Sequence, residues 1–377
     1  MATHFKLSPI SLAALTLSCG MSLSAAAQTA PPPTSLRLPQ VTVTGKTAPV
    51  LDANSADVGG FGVPLAQTPQ SVSVLGADLL VATGAQSLST VIKLDASLAD
   101  SYNTTGYLES VSVRGFLLNQ SGNFSRNGLI TSNDGPIALE NLEHVEVLKG
   151  VAGLQSGVSA PGGLVNYVTK APLPGNFVTA AVSATDNGGA KLHLDANQQV
   201  GAVGLRVNLV DESLRPKFDQ ANGSRQLLAV ALQTRLDAVT ALSANIEYHR
   251  KQQPSVPGLG LLDANGDGVG DAFPAQIQPR LNLNDQPWSQ PFEASSTSAE
   301  LALDHQINAH WRARVALNTQ RLTIDDRLAF PDGCSNAATY VYPGLCANGD
   351  VDVYDYRSEG EQRKLWSWDA RLAACRT

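Results

Sequence analysis

The sequence predicts a small α+β domain followed by a transmembrane antiparallel β-barrel wall, incomplete at about eight strands. Three observations carry this. After Pro172 the chain repeats alternating apolar and polar segments of roughly ten residues, the length that crosses an outer membrane at a tilt. Before Pro172, short alternating strands mix with an apolar run at helical spacing. Nowhere does the chain hold the roughly 20 consecutive apolar residues of a membrane-spanning helix.

Charged residues make up 16%, Gly accounts for 32 of 377 residues and the formal net charge is −7. Low charge with abundant Gly, Ser and Thr suits many short strands joined by turns. The acidic balance, with no cluster of Lys and Arg, argues against nucleic acid as a partner, because phosphate binding needs basic side chains on one face.

In chain order, residues 1–27 read as a secretory signal peptide: Lys6, then an apolar stretch over 10–23, then Ala25, Ala26 and Ala27 before the cleavage point. Cys19 offers a lipoprotein alternative, but Thr16 stands where that motif wants leucine. Residues 28–57, with Pro31, Pro32 and Pro33, form a solvated linker. Within it, 38–45 alternates Val and Thr: either an extended linker or an edge strand that adds to a partner's sheet.

From residue 58 a folded domain is expected. Residues 70–75 place Val72 and Val74 on one face and serines on the other, a half-buried strand. Leu88, Val91 and Ile92 lie at helical spacing, with Ser87 as a candidate cap. Strands are expected over 110–116 and 144–150, a short helix over 140–142, and a final strand over 164–169. The last follows Pro161, Gly162 and Gly163, a fixed φ and then two positions free to adopt φ > 0.

The wording of residues 157–172, Gly-Val-Ser-Ala-Pro-Gly-Gly-Leu-Val-Asn-Tyr-Val-Thr-Lys-Ala-Pro, resembles the end of the plug domain in TonB-dependent outer-membrane receptors of the siderophore type. Residues 61–75, 78–80, 87–94, 110–116 and 144–150 resemble other parts of that plug. The resemblance covers 58–172 by wording and 173–377 in texture, the latter as a partial transmembrane β-barrel. It implies a monomeric importer in outer-membrane lipid, taking up a ferric siderophore as cargo and using no cofactor.

On the same resemblance, Leu38, Pro39, Val41, Thr42 and Val43 form a TonB box, contacting the TonB C-terminal domain. Arg114, Glu143, Glu146 and Lys149 are expected to bridge plug to barrel wall; the other reading is that they are solvated in the lumen. The loops at 102–108 and 117–128 are expected on the outer side. There Tyr107 and Phe124 would supply aromatic walls, Asn123 an amide and Arg126 a cation for an anionic chelate, unless Phe124 packs under its own loop. Only about ten residues separate the cleavage point from the TonB box, too few for an extra signalling domain.

Eight wall strands are expected: 177–185, 190–200, 204–212, 226–237, 240–253, 297–307, 311–322 and 362–372. In 311–322, Trp311, Ala313, Val315 and Leu317 face one way and Arg312, Arg314, Asn318 and Gln320 mostly the other, as lipid outside and water inside require. Short turns alternate with long segments such as 254–296.

Asp263, Asn265, Asp267 and Asp271 occupy positions 1, 3, 5 and 9 of a calcium-loop pattern, but Pro274 replaces the bidentate Glu at position 12. A tight Asx-rich turn is the other reading. Cys334 and Cys346 lie twelve apart in a loop of an exported chain and are expected to pair, leaving Cys375 odd. No catalytic constellation is present: the six His are scattered and neither Gly-x-Ser-x-Gly nor His-Glu-x-x-His occurs.

A passive porin-like channel would lack the plug, and an adhesin should show fixed-period repeats. Other cargoes, such as another metal chelate, cobalamin or a sugar, stay open. A plugged transporter barrel has about 22 strands, or roughly 220 residues without loops, against about 205 after Pro172. A truncated chain, with its activity left open, is therefore the expectation.

Overall fold

The computed structural model describes residues 65–151, 161–276, 278–335 and 340–374, all within one compact unit. The signal peptide, the linker, the segment from Leu38 to Gly45, residues 157–160 and Cys375 lie outside the described residues.

The first half is built on two sheets. A five-stranded sheet has the order β1-β7-β8-β5-β6, from Ser71–Gly76 (β1), Phe124–Arg126 (β5), Leu129–Ile130 (β6), Leu142–Lys149 (β7) and Gly163–Thr169 (β8). β5 and β8 run parallel and the other pairs antiparallel. A second sheet joins Leu98–Asn103 (β2), Glu109–Val113 (β3) and Phe116–Leu117 (β4). Helices Ala77–Ala82 and Leu88–Ile92 cover the core. Ser87 caps the second, accepting from the Thr90 amide, while Leu88, Val91 and Ile92 are buried. One apolar cluster then joins helices and sheets, from Leu75 and Val91 through Val111, Phe124 and Val147 to Tyr167.

Several expected elements differ locally. Residues 140–141 form a turn, closed by the Leu142 amide on the Leu139 carbonyl, and Leu142 already begins β7, so no helix forms there. The strand expected over 110–116 stops at Val113, because Arg114 and Gly115 turn the chain with φ of 52° and 83°. β1 is buried on both faces: Val74 packs on Leu148 and Leu164, and Leu75 enters the main core. Of the two Gly after Pro161 only Gly163 has positive φ, at 141°. A Cβ there would stand 2.0 Å from the Leu148 carbonyl oxygen, so only glycine lets β8 approach β7.

The second half is one antiparallel meander of eight strands: β9 (Phe177–Ala184), β10 (Ala190–Val200), β11 (Val203–Leu214), β12 (Gly223–Arg235), β13 (Thr240–Gln253), β14 (Gln290–Gln306), β15 (Trp311–Pro331) and β16 (Val353–Ala374). All eight expected strands are present. Most run longer than the ten-residue expectation, up to 22 residues in β16, because they extend past the lipid-matched segment at the long-loop end. The turns at 201–202, 236–239 and 307–310 are short, whereas the opposite end carries 254–289 and 332–352. β9 and β16 are the sheet's edges, so the barrel is incomplete.

The wall alternates as a membrane sheet must. Val182, Ile246, Leu301, Leu317, Trp366 and Trp368 point outward and are exposed, while Arg225, Glu247, Glu300 and Gln320 point inward and are buried against the first half. No described helix is long and apolar enough to cross a membrane.

At the long-loop end, Cys334 and Cys346 are disulfide-bonded. Leu345, beside Cys346, donates to the Leu261 carbonyl at 2.8 Å and accepts from the Asp263 amide at 2.9 Å, pinning one long loop to the other.

Candidate functional site

The inner domain meets the wall across a polar seam. Arg126, at the end of β5, is 8% exposed, and its guanidinium reaches the Glu247 carboxylate of β13 at 2.7 and 2.8 Å. Asn141 donates to the same carboxylate. Burial pulls the Arg126 guanidinium down, but Glu247 outweighs it and holds the group above its ordinary value. Glu140, in the turn before β7, accepts from Arg225 of β12 at 2.7 and 3.0 Å and from Lys191 of β10 at 3.1 Å. Burial pushes the Glu140 carboxyl up, yet those two cations hold it below the usual carboxylate range. Arg225 is also bound by Glu212 of β11, so its charge is compensated twice.

Further polar contacts continue the seam along β14, β15 and β16. Asn127 donates to Glu300 at 2.6 Å, and the amide of Ser132 donates to Gln320 at 2.8 Å while Gln320 returns a bond to the Ser132 carbonyl at 3.2 Å. Ser367 donates to the Ile130 carbonyl at 2.9 Å, and Asp134 pairs with Arg363.

Above the seam, at the long-loop end, an open cleft of about 340 Å³ separates the inner domain from the wall. Residues 104–109, 135–137 and the start of the helix at Leu88 form one side; Glu212, Arg225, Lys251 and Gln253 form the other. Gly106, with φ +83°, lets its loop touch the wall strand's exit: a Cβ there would fall 2.3 Å from the Pro254 carbonyl oxygen. Tyr107 stands over the rim, its ring 5.2 Å from Phe292 and 6.3 Å from Tyr102. Burial pushes the Tyr107 phenol above its ordinary value, with Asp326 adding to the effect.

The sequence-derived site residues are redistributed. Of the four expected at the chelate, only Tyr107 lines the cleft. Asn123 is fully buried, donating to the Gly163 carbonyl. Phe124 is fully buried and stacks on Tyr167, because β5 is an interior strand and not an outer loop. Arg126 is consumed by Glu247. Of the four expected bridges to the wall, Lys149 pairs with Asp95 at 2.7 Å and Glu146 accepts from Asn166 at 2.8 Å, both inside the domain. Arg114 sits in an exposed turn and Glu143 is exposed on β7. Lys149 and Glu146 sit on strands that pair within the domain, so their partners are local.

The acidic loop is fastened by its own backbone. Both Asp263 oxygens accept backbone amides of residues 266–268, Asn265 donates to Asp267, and no group of three or more His, Cys, Asp or Glu fit to hold a metal is found among the described residues. The real bridging residues, Glu140, Arg225 and Glu247, were missed. Their signal is parity: Glu247, His249 and Lys251 share one face of a strand whose other face includes Ile246.

Residues 64–164 match the family model of the TonB-dependent Receptor Plug Domain. Over that span the chain is similar to the TonB-dependent receptors. Among curated relatives, the Probable TonB-dependent siderophore receptor PiuA of Acinetobacter baumannii is 26% identical over 225 residues, 58% of this chain and 30% of the relative. The Metal-pseudopaline receptor CntO of Pseudomonas aeruginosa is 30% identical over 178 residues, 46% of this chain and 24% of the relative. Among solved structures, the open form of the Ferric-Catecholate import receptor Fiu from Escherichia coli K12 superposes with a TM-score of 0.72 at 17% identity, over 86% of this chain and 49% of that one. The chain thus spans about a third or less of these two curated relatives. In family terms the inner domain is the plug and the meander is part of the barrel wall.

Proposed function

We propose that this TonB-dependent receptor chain serves the uptake of ferric siderophores across the outer membrane, energised by TonB contact at Leu38, Pro39, Val41, Thr42 and Val43. One observation carries the reading: a plug held in the wall by exchangeable polar contacts beneath a cleft that opens at the long-loop end. Two relatives named as siderophore or metallophore receptors support the cargo class. Water can replace the seam's contacts one by one, so a pull on the linker has something it can loosen. The sheet's edges must be paired in a working receptor, since open edges are not tolerated in lipid.

The test is uptake of iron-55 siderophores in a Gram-negative host stripped of its own siderophore receptors and given the gene that encodes this chain. Uptake should appear and should vanish when tonB is deleted. Uptake that survives the deletion would support a passive channel instead. Because one relative is named for a metal complex of pseudopaline, a second reading is a chelate of another metal; competition of iron uptake by nickel or zinc chelates would favour it.

A further inference from the structure

The loss of Arg126 to the seam leaves the cleft without the cation that the sequence suggested. The inward-facing basic side chains around it are committed: Arg225 and Lys191 to Glu140, and Arg126 to Glu247. Lys251 is different. It lies on the inward face of β13, directly opposite Arg225 in the β12–β13 register, and lines the cleft. Among the described residues no carboxylate stands within ion-pair distance of Lys251. Glu109, the remaining acid of the cleft, has both oxygens occupied at 3.1 Å by the Leu88 and Ser89 amides at the start of their helix. Arg225, directly opposite, is already neutralised by Glu140 and Glu212, so neither of those carboxylates is left to pair with Lys251. What Lys251 does supply is an uncommitted ammonium in a recess lined by hydroxyls and amides, such as Ser89, Thr104 and Gln253, with low-dielectric walls that strengthen its field.

We propose that Lys251 is the cargo-contacting cation of this receptor and that the cleft selects ferric chelates of net negative charge with oxygen donors. This rests on the siderophore reading and refines it from a cargo class to a cargo charge. The ammonium meets the chelate's anionic oxygens, Tyr107 covers its apolar edge, and the hydroxyl lining hydrogen-bonds its periphery.

The experiment compares two iron(III) probes on outer-membrane vesicles carrying the chain: the trianionic tris(catecholate) complex and an uncharged tris(hydroxamate) complex, each labelled with iron-55. Wild type should retain the trianion more tightly, and less so as salt is raised. Lys251→Gln should weaken retention of the trianion by roughly tenfold while changing the neutral probe by less than about twofold, and Lys251→Arg should keep the preference. Equal losses for both probes, or salt-independent retention of the trianion by wild type, would overturn the inference. The salt titration decides the cargo charge even if Lys251→Gln fails to insert. Retention of the trianion with no effect of Lys251→Gln would overturn the role of Lys251 alone, whereas failure to retain either probe would also remove the siderophore reading.

Discussion

The plug's interior and its boundary with the wall are stabilised by different physics. Inside, Phe124, Val147 and Tyr167 belong to one apolar cluster whose members are nearly all fully buried. At the boundary, separate apolar contacts, Leu129 with Ala302 and Ala316, Ala138 with Val210 and Leu227, and Tyr107 and Leu108 with Phe292 and Leu322, alternate with carboxylates, guanidiniums and amides. Exposing the first to water costs free energy in proportion to area, while exposing the second exchanges protein partners for water at little net cost. The plug is therefore one cooperative body in a socket whose apolar contacts are small and separate and whose remaining contacts are polar. That division is what a gate needs if it must stay folded while it loosens.

The largest expected effect tests the interior. Phe124→Ala should destabilise the plug by about 3–5 kcal/mol, read as lost amide-exchange protection over Leu142–Lys149, with wall strands β12 and β13 unaffected. Loss of protection in the wall as well would break the distinction between body and socket. Next comes the seam. Arg126→Leu strands a buried Glu247 and should cost about 3 kcal/mol, while Arg126→Leu with Glu247→Leu should recover most of it, within about 1 kcal/mol of wild type. Protection of β5 and β6 reports both, and a double variant no better than the single one would mean that the pair itself carries the fit.

Acid gives a smaller, graded effect. Burial pushes the Asp95 carboxyl up, but Lys149, Ser73 and Ser97 bind it and leave it below the usual carboxylate range. A depressed folded value stabilises the plug above the unfolded value of about 4, and this is lost as pH falls through that value towards the folded one. Glu140 imposes the same sign on the seam. Protection should thus be flat from neutral pH to about 5 and fall below about 4, with Asp95→Asn shallower in the plug and unchanged at the seam. The smallest change is Ser87→Ala, which removes a cap and should cost about 1 kcal/mol, confined to Leu88–Ile92. Spread of that loss to β1 would show that the helix sets the sheet.

The strand pattern was legible because lipid and water impose a two-residue period that survives in composition: β10 and β13 carry the expected bounds. The cap at Ser87 and the buried stripe of Leu88, Val91 and Ile92 follow local rules and were readable too. What was hidden depends on distance in sequence. Arg126 meets a carboxylate 121 residues away, and Glu140 an arginine 85 residues away, so neither partner is visible from local wording. Phe124 and Asn123 looked like loop residues because β5 is three residues long and its neighbour β8 lies far along the chain. Charge on a strand reads as a tether to something outside, but Lys149 and Glu146 find partners within the plug.

The pairing of Leu345 with Leu261 and Asp263 has a polymer consequence. A loop of residues 254–289 tethered only at its ends could sweep widely across the mouth, with closure entropy set by its full length. Fastened in its first third to a segment that is itself cross-linked through Cys346, it becomes two shorter chords with a common anchor. A single covalent bond in one loop thereby limits the reach of its neighbour, and the width of the entrance is set by where that anchor stands instead of by how far either loop can swing.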